Sequence, residues 1–184
     1  ARQYALDVID NGGYTLATLA NHAAYWSQTA SRTDKVESIF EIQHDANGNG
    51  GNEALPYLFI QAGYGDILAT DDFYNSLSST DLRRTLMLSI TRGGRSGYAI
   101  NKYTSPINFS IKMLRLSEAY FIAAEANYHL SNPVGALTYL NAVATRRDPS
   151  FTGYISTGTQ ILEDILTERR KELAFEGHRY WDLV

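Results

Sequence analysis

Leu114-Arg115-Leu116-Ser117-Glu118-Ala119-Tyr120-Phe121-Ile122-Ala123-Ala124-Glu125-Ala126 is the stretch whose reading decides the fold. Leu114, Phe121 and Tyr128 recur every seven positions, the spacing of one helix face. Residues 111–130 are therefore predicted to be one long helix. Ser131-Asn132-Pro133 breaks it, and Pro suits the first turn of a following helix. Val134, Leu137, Leu140, Val143 and Ala144 stripe that second helix, predicted over 134–147. The small residues Ala119, Ala123, Ala124 and Ala126 let the two helices approach closely, as in a tetratricopeptide-like hairpin over 111–147. A third helix is predicted over 159–177, carrying Leu162, Ile165, Leu166 and Leu173 and stopped by Gly177.

Upstream the pattern loosens. Residues 1–10 continue as helix, with Ala5, Val8 and Ile9 on one face and Asn11-Gly12-Gly13 as the stop. Lys35 to Gln43 is β-branched and aromatic, hence strand-like. Asp81 to Ser89 fits a short helix or a strand, Arg92 to Gly97 is a turn, and Tyr98 to Tyr103 returns as strand. The expected class is mainly α, with helix pairs of the α-α superhelix type. A long loop-rich excursion over 14–110 contains a few short strands, and excursions of that length are usually functional. The opening in mid-helix and the abrupt end after Val184 suggest one domain fragment over 1–184.

Bulk composition removes several function classes. The net charge is −4 and no basic stripe exists, which argues against a nucleic-acid partner. No cysteine is present, so thiol nucleophiles and zinc–thiolate sites are excluded. No apolar run reaches the ~18 residues of a membrane span. Glu125 with His129 and Glu176 with His178 do not have di-iron spacing. No nucleophile elbow, phosphate loop or zinc-protease motif occurs. Asp45, Asn47 and Asn49 match the first half of a calcium loop, but its twelfth position is Pro56 instead of Glu. No cofactor is expected; calcium at that loop is the one alternative.

Charge falls on apolar stripes of the last third. Glu118 and Glu125 share the face of Phe121, and Arg169 lies on the stripe of Leu162 and Leu173. A charge buried there needs a partner. Glu118, Glu125, Arg169, Glu172, Glu176 and Arg179 are therefore expected to form a structural ion network. The rival readings are an exposed helix surface and a carboxylate pair for acid–base chemistry. The 13 tyrosines offer rings with hydroxyls, suited to sugar faces. Trp26, Tyr57, Tyr64, Tyr74 and Tyr98 are the candidate ligand platforms, and Trp181 is expected in the core.

Particular motifs carry a family resemblance. Leu114 to Ala126, then Leu140-Asn141 with Arg147, and above all Glu168-Arg169-Arg170-Lys171-Glu172-Leu173-Ala174-Phe175-Glu176-Gly177-His178-Arg179-Tyr180-Trp181-Asp182-Leu183 resemble the SusD/RagB family. Tyr14-Thr15-Leu16, Glu37-Ser38-Ile39-Phe40, Asp81-Leu82-Arg83 and Lys102-Tyr103 match weaker landmarks in the same order. The resemblance implies the C-terminal half of a nutrient-binding lipoprotein on the extracellular face of an outer membrane. It implies non-enzymatic capture of oligosaccharides and delivery to a TonB-dependent, SusC-like transporter. Membrane attachment would come only through an N-terminal lipid anchor that lies outside this sequence. The alternatives are a protein-interaction module, for transporter docking or peptide capture, and a glycoside hydrolase, which would need two free carboxylates in a cleft.

Overall fold

The computed structural model describes residues 1–183. The chain opens with helices α1 (Arg2–Asn11) and α2 (His22–Ser27) and strand β1 (Ser38–Ile42). The loop-rich middle holds α3 (Leu55–Phe59), β2 (Leu68–Ala69), α4 (Asp71–Asn75), a 3-10 turn (Leu82–Leu86) and the hairpin β3 (Met87–Arg92) and β4 (Arg95–Ile100). Strand β5 (Ile111–Arg115) leads into α5 (Leu116–His129), α6 (Pro133–Ala144) and α7 (Gln160–Glu172). Two small antiparallel sheets result, β1–β5 and β2–β4–β3. No helix among the described residues is long and apolar enough to cross a membrane.

The α5–α6 hairpin forms for local reasons. Asn132 caps α6 by accepting from Gly135 N at 3.1 Å, and Pro133 takes the first turn. Buried Asn127 accepts from Asn132 Nδ2 at 2.9 Å and from Arg2 Nε at 3.0 Å, tying α1 to the turn. A Cβ at position 135 would lie 2.5 Å from Asn132 Nδ2 and 2.7 Å from Asn127 Oδ1, so a larger residue would displace the side chains that make these hydrogen bonds. Phe121, Ala124, Ala136, Leu140, Val143, Ile161 and Ile165 form the core these helices share. A second core of Phe59, Phe73, Leu77, Met87, Ile100, Tyr103 and Phe109 lies beneath the loop-rich region.

Three sequence expectations need correction. Residues 111–115 are strand, not the start of α5. They pair with β1, setting Lys112 opposite Glu41 and Arg115 opposite Ser38, next to Glu37. Buried cations sought acids on a neighbouring strand, and that tertiary demand overrode helical periodicity. Leu114 consequently stands half exposed, off the helix stripe. The third helix also ends early, at Glu172. Lys102 Nζ takes the carbonyls of Glu172 (3.1 Å) and Ala174 (3.0 Å), and Tyr103 Oη donates to Phe175 O at 2.6 Å. Those side chains satisfy carbonyls that a helix end leaves open, and Phe175 turns the chain at φ +67°. Finally, Trp181 is 75% exposed, so it is not core.

Candidate functional site

The most ordered chemistry in the molecule is a buried charge network at the point where α7 leaves the first core for the second. Glu172 is its centre. Arg147 Nε meets Glu172 Oε2 at 3.0 Å, and Arg115 Nη1 meets Oε1 at 2.9 Å. Arg83 Nη1 reaches Oε2 at 3.4 Å. Glu37 bridges the same guanidiniums, at 2.6 Å from Arg147 Nη2 and 3.3 Å from Arg115 Nη1. Arg115 also grips Glu176 in a fork, at 2.7 and 2.8 Å, and Lys102 pairs with Glu176. Arg83 forks onto Asp81 at 2.6 and 2.9 Å and meets Glu168 Oε1 at 2.6 Å. Trp26 lies under the cations, with Lys102 Nζ at 4.4 Å and the Arg115 guanidinium at 5.1 Å from its ring centre.

Backbone geometry sets up this arrangement. Glu37 is fully buried with φ +60°, a conformation rare outside glycine. Ala17 N donates to its carboxylate at 2.9 Å and Leu116 N to its carbonyl at 2.7 Å, so the left-handed turn is held from both sides.

The electrostatics follow from the packing. Burial alone would raise the Glu172 pKa, but Arg147, Arg115 and Arg83 overcome it and hold that carboxyl well below the ordinary range. Burial likewise opposes ionisation of Glu176, and Arg115 with Lys102 reverses it. His22 stays neutral beside the network: burial first, then Arg147, lowers its pKa to about 3. A general acid needs a raised pKa and a free face. These carboxylates have neither, so the network neutralises charge and offers no proton to a substrate.

Of the residues the sequence nominated for an ion network, Glu172 and Glu176 sit in this one. Glu118 and Arg169 form a separate cluster nearer the surface. Arg169 meets Glu118 at 3.2 Å and Asp182 at 2.9 Å, and His178 meets Glu118 at 3.4 Å. Glu125 joins neither; among the described residues its one partner within ion-pair distance is the exposed imidazole of His129, 3.9 Å away. Arg179 is exposed and joins neither. The sequence-derived set omitted Glu37, Arg83, Arg115 and Arg147. The predicted helices put Arg147 at a helix end and Arg115 inside a helix. A signal was available: the resemblance landmarks Glu37, Asp81-Leu82-Arg83, Lys102-Tyr103 and Arg147 converge on Glu172.

The five aromatic candidates separate into two pairs and a buried ring. Trp26 is 3% exposed and edge-on to Tyr25, so it is core and network floor, not an open platform. Tyr64 is 47% exposed and packs edge-on against half-buried Tyr57, with ring centres 4.8 Å apart. Tyr74 and Tyr98 stack face to face at 3.6 Å and 9°, with the Arg84 guanidinium 4.1 Å from the Tyr74 ring centre. Tyr98 and Ser89 are directly opposite on the β3–β4 ladder, as are Ser96 and Thr91, so these hydroxyls share the face of the Tyr98 ring.

The Asn/Gly loop uses its own oxygens. Asp45 Oδ1 accepts from Asn47 N at 2.8 Å and Gly48 N at 2.9 Å, and Asn49 Nδ2 donates to Asp45 O at 2.7 Å. Those backbone hydrogen bonds lower the Asp45 pKa and close an Asx turn. An outlying buried pair sets Lys112 Nζ 3.8 Å from Glu41 Oε1, and burial lowers that lysine to about 8.

Comparison with known proteins adds the following. A model of the SusD family matches residues 83–184. A SusD-like protein of Formosa agariphila is 36% identical over 75 residues, 39% of this chain and 14% of the relative. A SusD superfamily protein of Bacteroides thetaiotaomicron has TM-score 0.85 at 29% identity, covering 98% of this chain and 44% of that one. Surface glycan-binding protein A of Bacteroides thetaiotaomicron, solved with laminarihexaose, has TM-score 0.71 at 23% identity, a likeness of fold alone. It covers 98% of this chain and 48% of that one. The chain thus spans less than half the length of these relatives.

Proposed function

The chain belongs to the SusD family, and on that premise we propose that it is a non-enzymatic module for capturing oligosaccharides at the cell surface. The captured glycan would pass to a TonB-dependent, SusC-like transporter, with the protein lipid-anchored at the outer membrane. The α5–α6 hairpin is one tetratricopeptide-like unit in this reading, and binding requires no metal. The laminarihexaose complex of a protein of the same fold supports a glycan ligand. The observation that carries the reading is the exposed Tyr64 ring buttressed edge-on by Tyr57. A rigid aromatic face covers the C–H side of a sugar at low entropic cost, and its hydroxyl hydrogen-bonds at the rim.

Neutralisation of Glu37, Glu172 and Glu176 by arginine and lysine supports binding without hydrolysis. The alternative, a protein-docking module, draws support from a different surface. Phe40, Ile42, Met113 and Leu114 are 43–54% exposed on the β1–β5 sheet.

The test is calorimetric titration with a panel of oligosaccharides, including laminarihexaose, against the wild type and a Tyr57→Ala/Tyr64→Ala variant. The reading expects binding of at least one oligosaccharide, weakened about tenfold or more in the variant, a loss of ~1.4 kcal/mol or more. No reducing ends should appear on prolonged incubation. Heat from none of the panel would remove the glycan reading and leave the docking alternative.

A further inference from the structure

A groove of about 250 Å3 runs between the β2–α4 segment and the end of α7. Its floor is apolar, built of Leu68, Ala69, Phe73 and Phe175, and its walls carry Arg170 and Arg179. Both arginines are exposed, and neither forms an ion pair with a carboxylate among the described residues. The reason lies in the partition of charge along the same segment. Glu172 and Glu176 face inward and are consumed by Arg83, Arg115, Arg147 and Lys102. Outside that network Arg169 meets Glu118 and Asp182 and Lys171 meets Glu168, which leaves Arg170 and Arg179 without an acid among the described residues.

The Arg170 guanidinium is positioned, and so is the turn that carries Arg179. The Arg170 guanidinium lies 5.7 Å from the Phe73 ring centre, over the groove floor. The turn that bears Arg179 is anchored on both sides, by His178 to Glu118 at 3.4 Å and by Asp182 to Arg169 at 2.9 Å. Asp71 and Asp72, the nearest acids on α4, do not line the groove.

Resting on the oligosaccharide-capture reading, we propose that this groove is a subsite for an anionic sugar unit. The ring's C–H face would lie on half-buried Leu68 and Phe175, and its acidic group between Arg170 and Arg179. A planar guanidinium fork suits a carboxylate or a sulfate oxygen pair, and desolvation by an apolar floor strengthens that contact. The same chemistry can come from a uronate carboxylate or a sulfate ester.

The experiment titrates the 184-residue chain with trigalacturonate, with a sulfated carrageenan tetrasaccharide and with a neutral galactotetraose, at low and high salt. Each is repeated on Arg170→Gln/Arg179→Gln and on Arg170→Lys/Arg179→Lys. The expected result is selective binding of one or both anionic probes, weakened by salt and by tenfold or more in the Gln pair. The Lys pair should recover part of it, and any binding of the neutral probe should not change in either variant. Which anionic probe binds tells carboxylate from sulfate. Equal affinity for neutral and anionic probes, an unchanged Kd in the Gln pair, or no binding of either anionic probe overturns the proposal. Neutral binding that depends on Tyr57 and Tyr64 would then leave the capture reading standing. Loss of all oligosaccharide binding removes both.

Discussion

Around Glu172, charged atoms meet charged partners within 3.4 Å and the side chains are only 1–7% exposed. Around Tyr64, a ring stands half in solvent against one neighbour, in a segment of short helices and glycine-bearing turns. The first region draws its residues from six separated parts of the chain: the segment before β1, the 3-10 turn with Asp81 before it, the segment after β4 that holds Lys102, β5, the turn after α6, and α7 with the turn that follows it. It works as a lock, because no member can leave without stranding a buried charge. The second has little to lose structurally when a side chain changes, so it is free to vary its contacts. A rigid scaffold beside an adaptable surface is the arrangement a capture module needs, since ordering a binding loop on a fixed frame lowers the entropy lost on binding.

That contrast can be broken most forcefully at its centre. Glu172→Ala strands Arg115 and Arg147 in the interior and should destabilise the fold by about 3–5 kcal/mol, read by urea or thermal unfolding. Tyr64→Ala should shift stability by no more than about 0.5 kcal/mol in the same assay. If the two variants unfold alike, the lock is not what separates the regions.

Acid offers a second lever. Folded His22 titrates at about 3 and an unfolded histidine at 6.5, so its contribution is complete above 6.5 and is lost as pH falls toward 3. Glu172 and Glu176 are depressed from 4.5, so their contribution is present above that pH and is lost below it. Stability should therefore fall progressively from pH 6.5 downward, most steeply below 4.5. A flat profile between pH 7 and 4 would contradict the burial of His22.

The smallest effect sharpens the boundary of the lock. Arg169 pairs with Glu118 and Asp182, and these three side chains are 13–17% exposed. Arg169→Met should cost no more than about 1 kcal/mol by thermal unfolding. A loss as large as that of Glu172→Ala would make the outer cluster part of the lock.

Much of the scaffold could be read without coordinates. Apolar spacing at Phe121, Leu140, Val143 and Ile165 reported the helices, because burial on one face imposes a period that the chain must carry. Pro133 marked the turn between α5 and α6 through backbone geometry alone. Residues 111–115 carried the same apolar spacing yet became strand, since Lys112 meets Glu41 on β1 and Arg115 meets Glu37 just before it, 78 residues away.

What the sequence by itself determined was the helical frame, the likeness in motif order and the presence of charges too many for their apolar stripes. Only the tertiary structure decided which acid meets which base, where α7 ends, that Trp26 is interior, and that Arg170 and Arg179 remain outside. Periodicity and capping act over a few residues and are written in local spacing. Charge pairing depends on inverse distance in a medium of low dielectric, and that distance exists only once the chain has brought remote segments together.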